Sequence, residues 1–112
     1  MFKDKVNILG EEWEIINEVN QDKCVKNDAN GLCEWCERKI LLDNWEEAER
    51  TLNNPNEYKK ITLRHEIIHA FLFESGLGHN SDWATNEEMV DFFARQFPKM
   101  MKVMRESGCL DG

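Results

Sequence analysis

The sequence predicts an α+β fold, in which a small antiparallel β-sheet packs against two helices. Residues 1–43 contain short stretches in which apolar and polar residues alternate, as they do in β-strands. Turn-forming residues separate these stretches, which is typical of β-hairpins. Residues 44–107 have a helical spacing of apolar residues and contain three helix-starting signals. The chain has 112 residues, 41% of them apolar, which is typical of one domain with a hydrophobic core. We therefore expect a single domain over 1–112 that is β-rich up to residue 43 and helical from 44 to 107.

The β-rich part is predicted to form two hairpins. Val6 and Ile8 alternate with polar neighbours, and Gly10 provides the turn into a second alternating stretch around Trp13 and Ile15. A segment dense in turn-forming residues then separates the two hairpins. The strands are therefore expected at 5–9 and 12–19 and, after a loop at 27–31, at 32–35 and 38–43.

The longest helix is predicted between Pro55 and Ser75. Asn54 is a suitable N-cap, Pro55 occupies the first helical position, and Gly76 follows where glycine commonly ends a helix. Its apolar residues nearly encircle the helix, which indicates a central and largely buried element. A shorter helix with its own capping pair is predicted before it, at 45–53.

The last predicted helix follows a loop at 76–84. Thr85 and Glu88 have the spacing of a capping box, which predicts that the helix covers 86–97. Pro98 either kinks this helix or starts a new turn, and the helical pattern resumes beyond it.

The charge and the apolar runs of the chain narrow the classes of partner. The net charge is −8, from 22 acidic and 14 basic residues, which argues against nucleic acid and anionic membranes. The longest apolar runs, such as Ala70 to Phe73, are far shorter than the roughly 20 residues that cross a bilayer. The charged N-terminus precedes no apolar signal segment, so a cytoplasmic location is expected.

The four cysteines are expected to be reduced thiols, because the cytosol keeps cysteines reduced. Cys33 and Cys36 have the spacing shared by redox pairs and half zinc sites, and both of these alternatives stay open. A tetrahedral cysteine site would have to recruit the distant Cys24 and Cys109.

The run His65-Glu66-Ile67-Ile68-His69 lies inside the longest predicted helix. Histidines four residues apart project from one helix face, one turn apart, so both imidazoles can bind one metal ion. Zinc accepts imidazole nitrogen readily, and one zinc ion per chain is predicted. Glu66 lies roughly 100° around the helix from His65, beside the ion, where it can take a proton from a metal-activated water.

A catalytic zinc site needs a third protein ligand, and the last helix offers two adjacent glutamates. Glu88 already has a role as the partner of Thr85, which leaves Glu87 as the preferred ligand and Glu88 as the alternative. Asp91, one turn after Glu87, either accepts the outer N–H of a ligating histidine or is a solvated surface acid. His79, in a glycine-flanked loop, is either an oxyanion donor or a surface histidine.

This pattern resembles the gluzincin metallopeptidases of the thermolysin type. It is more similar to the small ImmA/IrrE-like metallopeptidases of phages and mobile elements, whose second helix carries a Glu, then an Asn or Asp four residues later, then Phe-Ala. Here these are Glu87, Asp91 and Phe93-Ala94, and the Gly-x-Cys segment that precedes the helices in short phage members is Gly31 to Cys33. The resemblance implies a minimal gluzincin-like fold with His65, His69 and Glu87 as zinc ligands, Glu66 as base and Asp91 beside a ligand.

The function that follows is a zinc metallo-endopeptidase of a bacterial or phage-infected cell, acting on a protein that the resemblance suggests is a regulator. The peptide is expected to pair with a sheet edge at Lys39 to Asp43. Two alternatives stay open. One is a zinc-containing phage or mobile-element protein with little or no turnover, and the other is an interaction module that captures a host factor. The oligomeric state is not predicted.

Overall fold

The structure, a computed structural model, describes residues 2–19, 31–43 and 55–112 and has an α+β fold. The predicted helix at 45–53, the cap Asn54 and most of the predicted loop at 27–31 lie outside these residues. The strands are β1 (Lys5–Ile8), β2 (Glu11–Val19), β3 (Gly31–Glu34) and β4 (Lys39–Asp43). The helices are α1 (Pro55–Glu74), α2 (Leu77–Asn80) and α3 (Glu87–Ser107), and a 3-10 turn, Trp83–Thr85, precedes α3.

The four strands form a mixed sheet in the order β1-β2-β4-β3. The prediction of an entirely antiparallel sheet is therefore wrong for one of the three strand pairs. Both predicted hairpins are present, because β1 pairs with β2 and β3 with β4 in antiparallel fashion. However, β2 and β4 are parallel neighbours, with Glu14 opposite Lys39 and Ile16 opposite Leu41. Local patterns specify each hairpin, whereas the way two hairpins join depends on long-range packing that no local pattern encodes.

The prediction that Lys39 to Asp43 forms a sheet edge is also wrong. This strand, β4, lies between β2 and β3, and its residues Ile40, Leu41 and Leu42 are all buried. A continuous apolar run is typical of a strand that is covered on both faces, which explains its central position. Within the described part of the chain, the edges of the sheet are β1 and β3.

The hydrophobic core lies between one face of the sheet and α1. The alternation predicted for β2 is confirmed, since Trp13 and Ile15 are buried while Glu12 and Glu14 are exposed. Ala70 on α1 has no exposed surface, and its small side chain allows the helix to approach the strands closely. The core cluster consists of Ile8, Trp13, Ile15, Ile40, Leu42 and Ala70.

Two glycine positions agree with the sequence prediction. Leu9 and Gly10 both have positive φ, as a two-residue hairpin turn requires to match the twist of its strands. Gly76 has a φ of 89° just after the end of α1, which confirms the predicted helix stop. The predicted loop at 76–84 is only partly correct, because it contains α2 and most of the 3-10 turn. Helices of four and three residues are too short to produce a periodic pattern.

Of the two alternatives predicted at Pro98, the structure shows a helix that is not divided there. It continues through Pro98 as far as Ser107, and Gly108 ends it with a φ of 88°. Among the described residues, no helix combines the length and the apolar content needed to cross a membrane. The cytoplasmic location remains a prediction.

Candidate metal centre

Helix α1 brings His65 and His69 together on one face. Their Nε2 atoms are 3.2 Å apart, and the ring centroids are 4.8 Å apart. His69 is buried and His65 is half-buried, because the helix lies between β3 and α3. Burial lowers the pKa of His69, which favours the neutral imidazole that binds metals.

The first residue of α3, Glu87, completes the group. One carboxylate oxygen of Glu87 lies 2.9 Å from Nε2 of His65, and the other lies 2.8 Å from Nε2 of His69. This contact places Glu87 rather than Glu88 beside the histidines, so Glu87 stays the predicted ligand, but the reason given from the sequence is wrong. The N-cap is Asn86, not Thr85, and its side chain accepts a hydrogen bond from the backbone N–H of Met89.

Glu87, rather than Glu88, contacts the histidines because of the face of α3 on which it lies, and not because of the N-cap. Val90 and Ala94 have no exposed surface, and they follow Glu87 at the spacing of one helix face. Since α3 packs against α1 through this face, the carboxylate of Glu87 reaches the histidines, although its side chain is exposed like that of Glu88. The two apolar residues three and seven positions after Glu87 are the sequence signal that predicts this choice.

The three side chains fit a tetrahedral metal ion. One ligand atom from each of His65, His69 and Glu87 lies within 4.8 Å of the others. Ligand atoms at the usual 2.0–2.1 Å from a tetrahedral zinc are roughly 3.3 Å apart, close to the 3.2 Å between the two Nε2 atoms, while the two oxygens of Glu87 each contact a different histidine. Two imidazoles and one carboxylate are also the donor set of known catalytic zinc sites, which keep one position open.

Asp91 lies next to this group. Its Oδ1 is 3.6 Å from Nδ1 of His65, the ring nitrogen that faces away from Glu87. Its Oδ2 accepts a hydrogen bond of 2.8 Å from Nε of Arg95, one turn further along α3. Asp91 therefore occupies the place expected of an acceptor for a ligating histidine, and Arg95, which the sequence analysis did not consider, orients its carboxylate.

Glu66 lies beside the histidines and faces β3. It is 7% exposed, and burial together with the negative charge of Glu87 raises its pKa to about 8. A carboxyl group whose pKa is raised in this way is suited to accept and return a proton near neutral pH.

Gly31 allows β3 to approach Glu66. A Cβ atom at this position would lie 2.9 Å from the Cγ2 atom of Thr62 and 3.2 Å from a carboxylate oxygen of Glu66. Only glycine therefore fits between the strand and the helix without displacing these side chains. Gly31 was expected in a turn because of its turn-forming neighbours, whereas it is a buried residue of β3.

Cys33 also belongs to the site region, although the spacing Cys33 to Cys36 suggested a redox or metal pair. Cys33 is half-buried and Cys36 is exposed, and both are free thiols. Burial and the charge of Glu66 raise the pKa of Cys33 to about 12, so the thiol stays protonated at neutral pH. The His65, His69 and Glu87 group contains neither cysteine.

A cleft of about 600 Å³ opens over these residues. The edge strand β3 and helix α1 form two of its sides, and the beginning of α3 forms a third. The residues that line it include all the predicted metal-site residues and Glu66, but His79 is not among them. The lining residues are Gly31, Leu32, Cys33, Tyr58, Ile61, Thr62, His65, Glu66, His69, Phe73, Thr85, Glu87, Asp91 and Arg95.

His79 lies in a second cavity instead. Its ring centroid is 4.4 Å from that of Trp35, in an edge-to-face contact, and 5.8 Å from that of Phe73. His79 therefore lies in an aromatic cluster outside the cleft, and its role as an oxyanion donor stays a prediction.

Comparison of the chain with known protein families, with curated proteins and with solved structures found no match in any of the three. The resemblance to ImmA/IrrE-like metallopeptidases therefore rests on the residues of the motif alone.

Proposed function

We propose that this protein is a zinc-dependent metallopeptidase that cleaves a peptide bond in a protein substrate, with the active site of a minimal ImmA/IrrE-like gluzincin. The observation that carries the proposal is the convergence of His65, His69 and Glu87 around one point, with Glu66 beside them, in an open cleft. A structural zinc site needs four protein ligands and no base, whereas this group offers three ligands and a buried carboxyl group.

A zinc ion held by the three ligands would supply Lewis acidity and lower the pKa of water, so that water can attack a carbonyl carbon. Glu66 accepts the proton that the attacking water loses and delivers it to the leaving amine. Burial and the negative charge of Glu87 raise the pKa of Glu66 to about 8 when no metal ion is bound, which brings this carboxyl group into the range in which a zinc-bound water titrates. The carboxylate of Asp91 lies 3.6 Å from Nδ1 of His65, and a small movement would let it accept a hydrogen bond that fixes the ring of the ligand.

The substrate is proposed to bind in extended form along β3. This strand replaces Lys39 to Asp43 as the candidate edge, and three of its four residues, Gly31, Leu32 and Cys33, line the cleft. An edge strand offers backbone N–H and C=O groups to an added strand, which aligns a peptide without reading its side chains. The peptide would then pass between β3 and the metal ligands.

The alternative function, a zinc-containing interaction protein with little turnover, has one observation in its favour. Phe92, Phe97 and Val103 are exposed along α3, and exposed apolar side chains are available for contact with a partner. Both functions predict the same metal content, and only the first predicts hydrolysis that depends on Glu66.

The deciding experiment combines metal analysis with a search for cleaved proteins. The purified chain should contain one zinc ion, and cells that express the wild type should contain cleaved protein termini that cells expressing Glu66→Gln lack. Glu88→Gln, which changes an exposed neighbour of Glu87, is the matched control and should cleave like the wild type. Zinc without any cleavage that depends on Glu66 would favour the interaction protein, and absence of zinc would refute both.

A further inference from the structure

A second cavity, of about 200 Å³, adjoins the metal cleft, and Phe73 lines both. We call it the aromatic cavity, since the rings of Trp35, Phe73 and His79 line it together. The Trp35 and Phe73 rings are stacked with centroids 5.7 Å apart, and His79 contacts both. Trp35 is 44% exposed, so an incoming group can reach this ring surface from solvent.

Helix α1 and strand β3 both extend from the metal cleft to the aromatic cavity. On α1, Phe73 follows His69 by one helical turn, and the two rings are 6.3 Å apart and nearly parallel. On the other side of the cleft, Trp35 is the first residue after the edge strand β3. The helix and the strand that border the cleft therefore converge on the same cavity.

The charged groups of the aromatic cavity are already paired with each other. The carboxylate of Glu74 accepts hydrogen bonds from Nε of Arg38 and, at 2.9 Å, from Nε1 of the buried Trp13. Arg38 is also 4.0 Å from the carboxylate of Glu11. The cavity consequently offers a ligand the surface of aromatic rings, next to polar groups that already have partners within the protein.

We propose that the aromatic cavity is a specificity pocket, which binds a large apolar or aromatic side chain of the peptide substrate. An extended peptide rises about 3.3 Å per residue. The ring-to-ring steps of 6.3 and 5.7 Å place the cavity about two to four residues from the bond at the metal. His79 is then a substrate-binding residue rather than an oxyanion donor. This inference rests on the proposed function, but the pocket can be tested without it.

The first experiment needs neither metal nor turnover. Acetyl-phenylalanine amide is titrated into ¹⁵N-labelled protein, and the indole N–H signal of Trp35 is followed by NMR after assignment with Trp35→Phe. We expect a saturable shift in the millimolar range, at least about tenfold tighter than with acetyl-alanine amide, since burial of a Phe side chain favours binding by that much. The same shift in His65→Ala would show that the pocket is independent of the metal site.

The second experiment tests the link to the metal. Two series of peptide hydroxamates, which extend from the zinc in opposite directions, carry either Phe or Ala two, three or four residues from the hydroxamate. In one series, Phe at one position should lower the Kd measured by calorimetry about tenfold relative to Ala. Trp35→Ala should remove that gain without changing the Kd of the Ala peptides, and Trp35→Phe should retain most of it. Phe92→Ala, which changes another exposed aromatic residue that lines neither cavity, is the control and should behave like the wild type.

The outcomes separate this inference from the proposed function. The apolar pocket is refuted if acetyl-alanine amide binds as tightly as acetyl-phenylalanine amide. It is also refuted if acetyl-lysine amide binds more tightly than either of them. Both conclusions hold even when the protein binds zinc normally. If the protein holds no zinc, the proposed function fails, and the amide titration still decides whether the pocket exists. A Phe gain that persists in Trp35→Ala would also overturn the assignment.

Discussion

The side chain of Arg64 donates a hydrogen bond of 2.6 Å from Nε to the backbone carbonyl of Ala94. In an uninterrupted helix this carbonyl would accept from the N–H of residue 98, but residue 98 is a proline and has none. Arg64 therefore satisfies the helical carbonyl that Pro98 cannot. Since Arg64 precedes His65 directly and Ala94 belongs to the helix that begins with Glu87, this bond links the two helices that carry the candidate metal ligands.

Loss of Arg64 should consequently affect both stability and the metal site. Arg64→Ala leaves the carbonyl of Ala94 without its donor, and we expect a loss of about 1–3 kcal/mol in the free energy of unfolding. Zinc affinity should fall with it, because the helices lose a link next to the ligands. Chemical denaturation and a zinc titration measure the two effects.

A double variant tests the cause. Pro98→Ala restores an N–H at position 98, so Arg64→Ala combined with Pro98→Ala should recover part of the stability that Arg64→Ala loses. Arg64 also contacts Glu57 at 3.5 Å, and Glu57→Gln shows how much of the loss is due to that ion pair. If Arg64→Ala and the double variant lose the same free energy of unfolding, the hydrogen bond to Ala94 is not the cause of the loss.

Substitution of a candidate metal ligand is expected to lower zinc affinity more than substitution of a neighbouring acidic residue. His65→Ala, His69→Ala and Glu87→Ala should each lower zinc affinity sharply, because a three-ligand site cannot hold the ion with two. Asp91→Ala should lower it by roughly 10- to 100-fold through loss of the contact with His65. Glu88→Ala should leave it unchanged. A zinc titration against a chromophoric chelator compares all five, and a loss of zinc in Glu88→Ala would refute the assignment of Glu87.

Gly31→Ala should damage the site although Gly31 binds nothing. The added methyl group would lie 2.9 Å from Cγ2 of Thr62 and about as close to Glu66, which forces the strand or the carboxylate to move. We expect a cost of about 1–3 kcal/mol in stability and a large drop in turnover of any identified substrate. Thr62→Ser removes the closest atom and should restore part of the stability. Normal stability and turnover in Gly31→Ala would contradict the close approach.

The three cysteines that the structure describes should differ in reactivity. Because the pKa of Cys33 is raised to about 12, its thiol stays protonated at pH 8 and should react slowly with iodoacetamide. Cys36 and Cys109 are exposed and should be alkylated first. Peptide mass spectrometry over a time course follows each cysteine separately. In urea, where burial no longer acts, Cys33 should react like the others, and fast labelling of Cys33 in the folded protein would refute its buried position.

Short-range patterns in the sequence determined most of the helices and strands and the shared helix face of the two histidines. Alternation and turn residues predicted both hairpins, and Pro55 and Gly76 predicted the limits of α1. The spacing of His65 and His69 fixed their shared face, because helix geometry leaves no other arrangement for residues four apart. These predictions succeeded because each depends on residues within a few positions of one another.

Tertiary structure alone decided how these pieces combine. The parallel pairing of β2 with β4 made β3 the edge strand, and so moved the candidate substrate strand from Lys39–Asp43 to Gly31–Glu34. The same packing brought Gly31 against Glu66 and Trp35 against Phe73, pairs that are 35 and 38 residues apart in the chain. Contacts at such separations have no local signature in a single sequence, because packing in three dimensions rather than backbone geometry selects them.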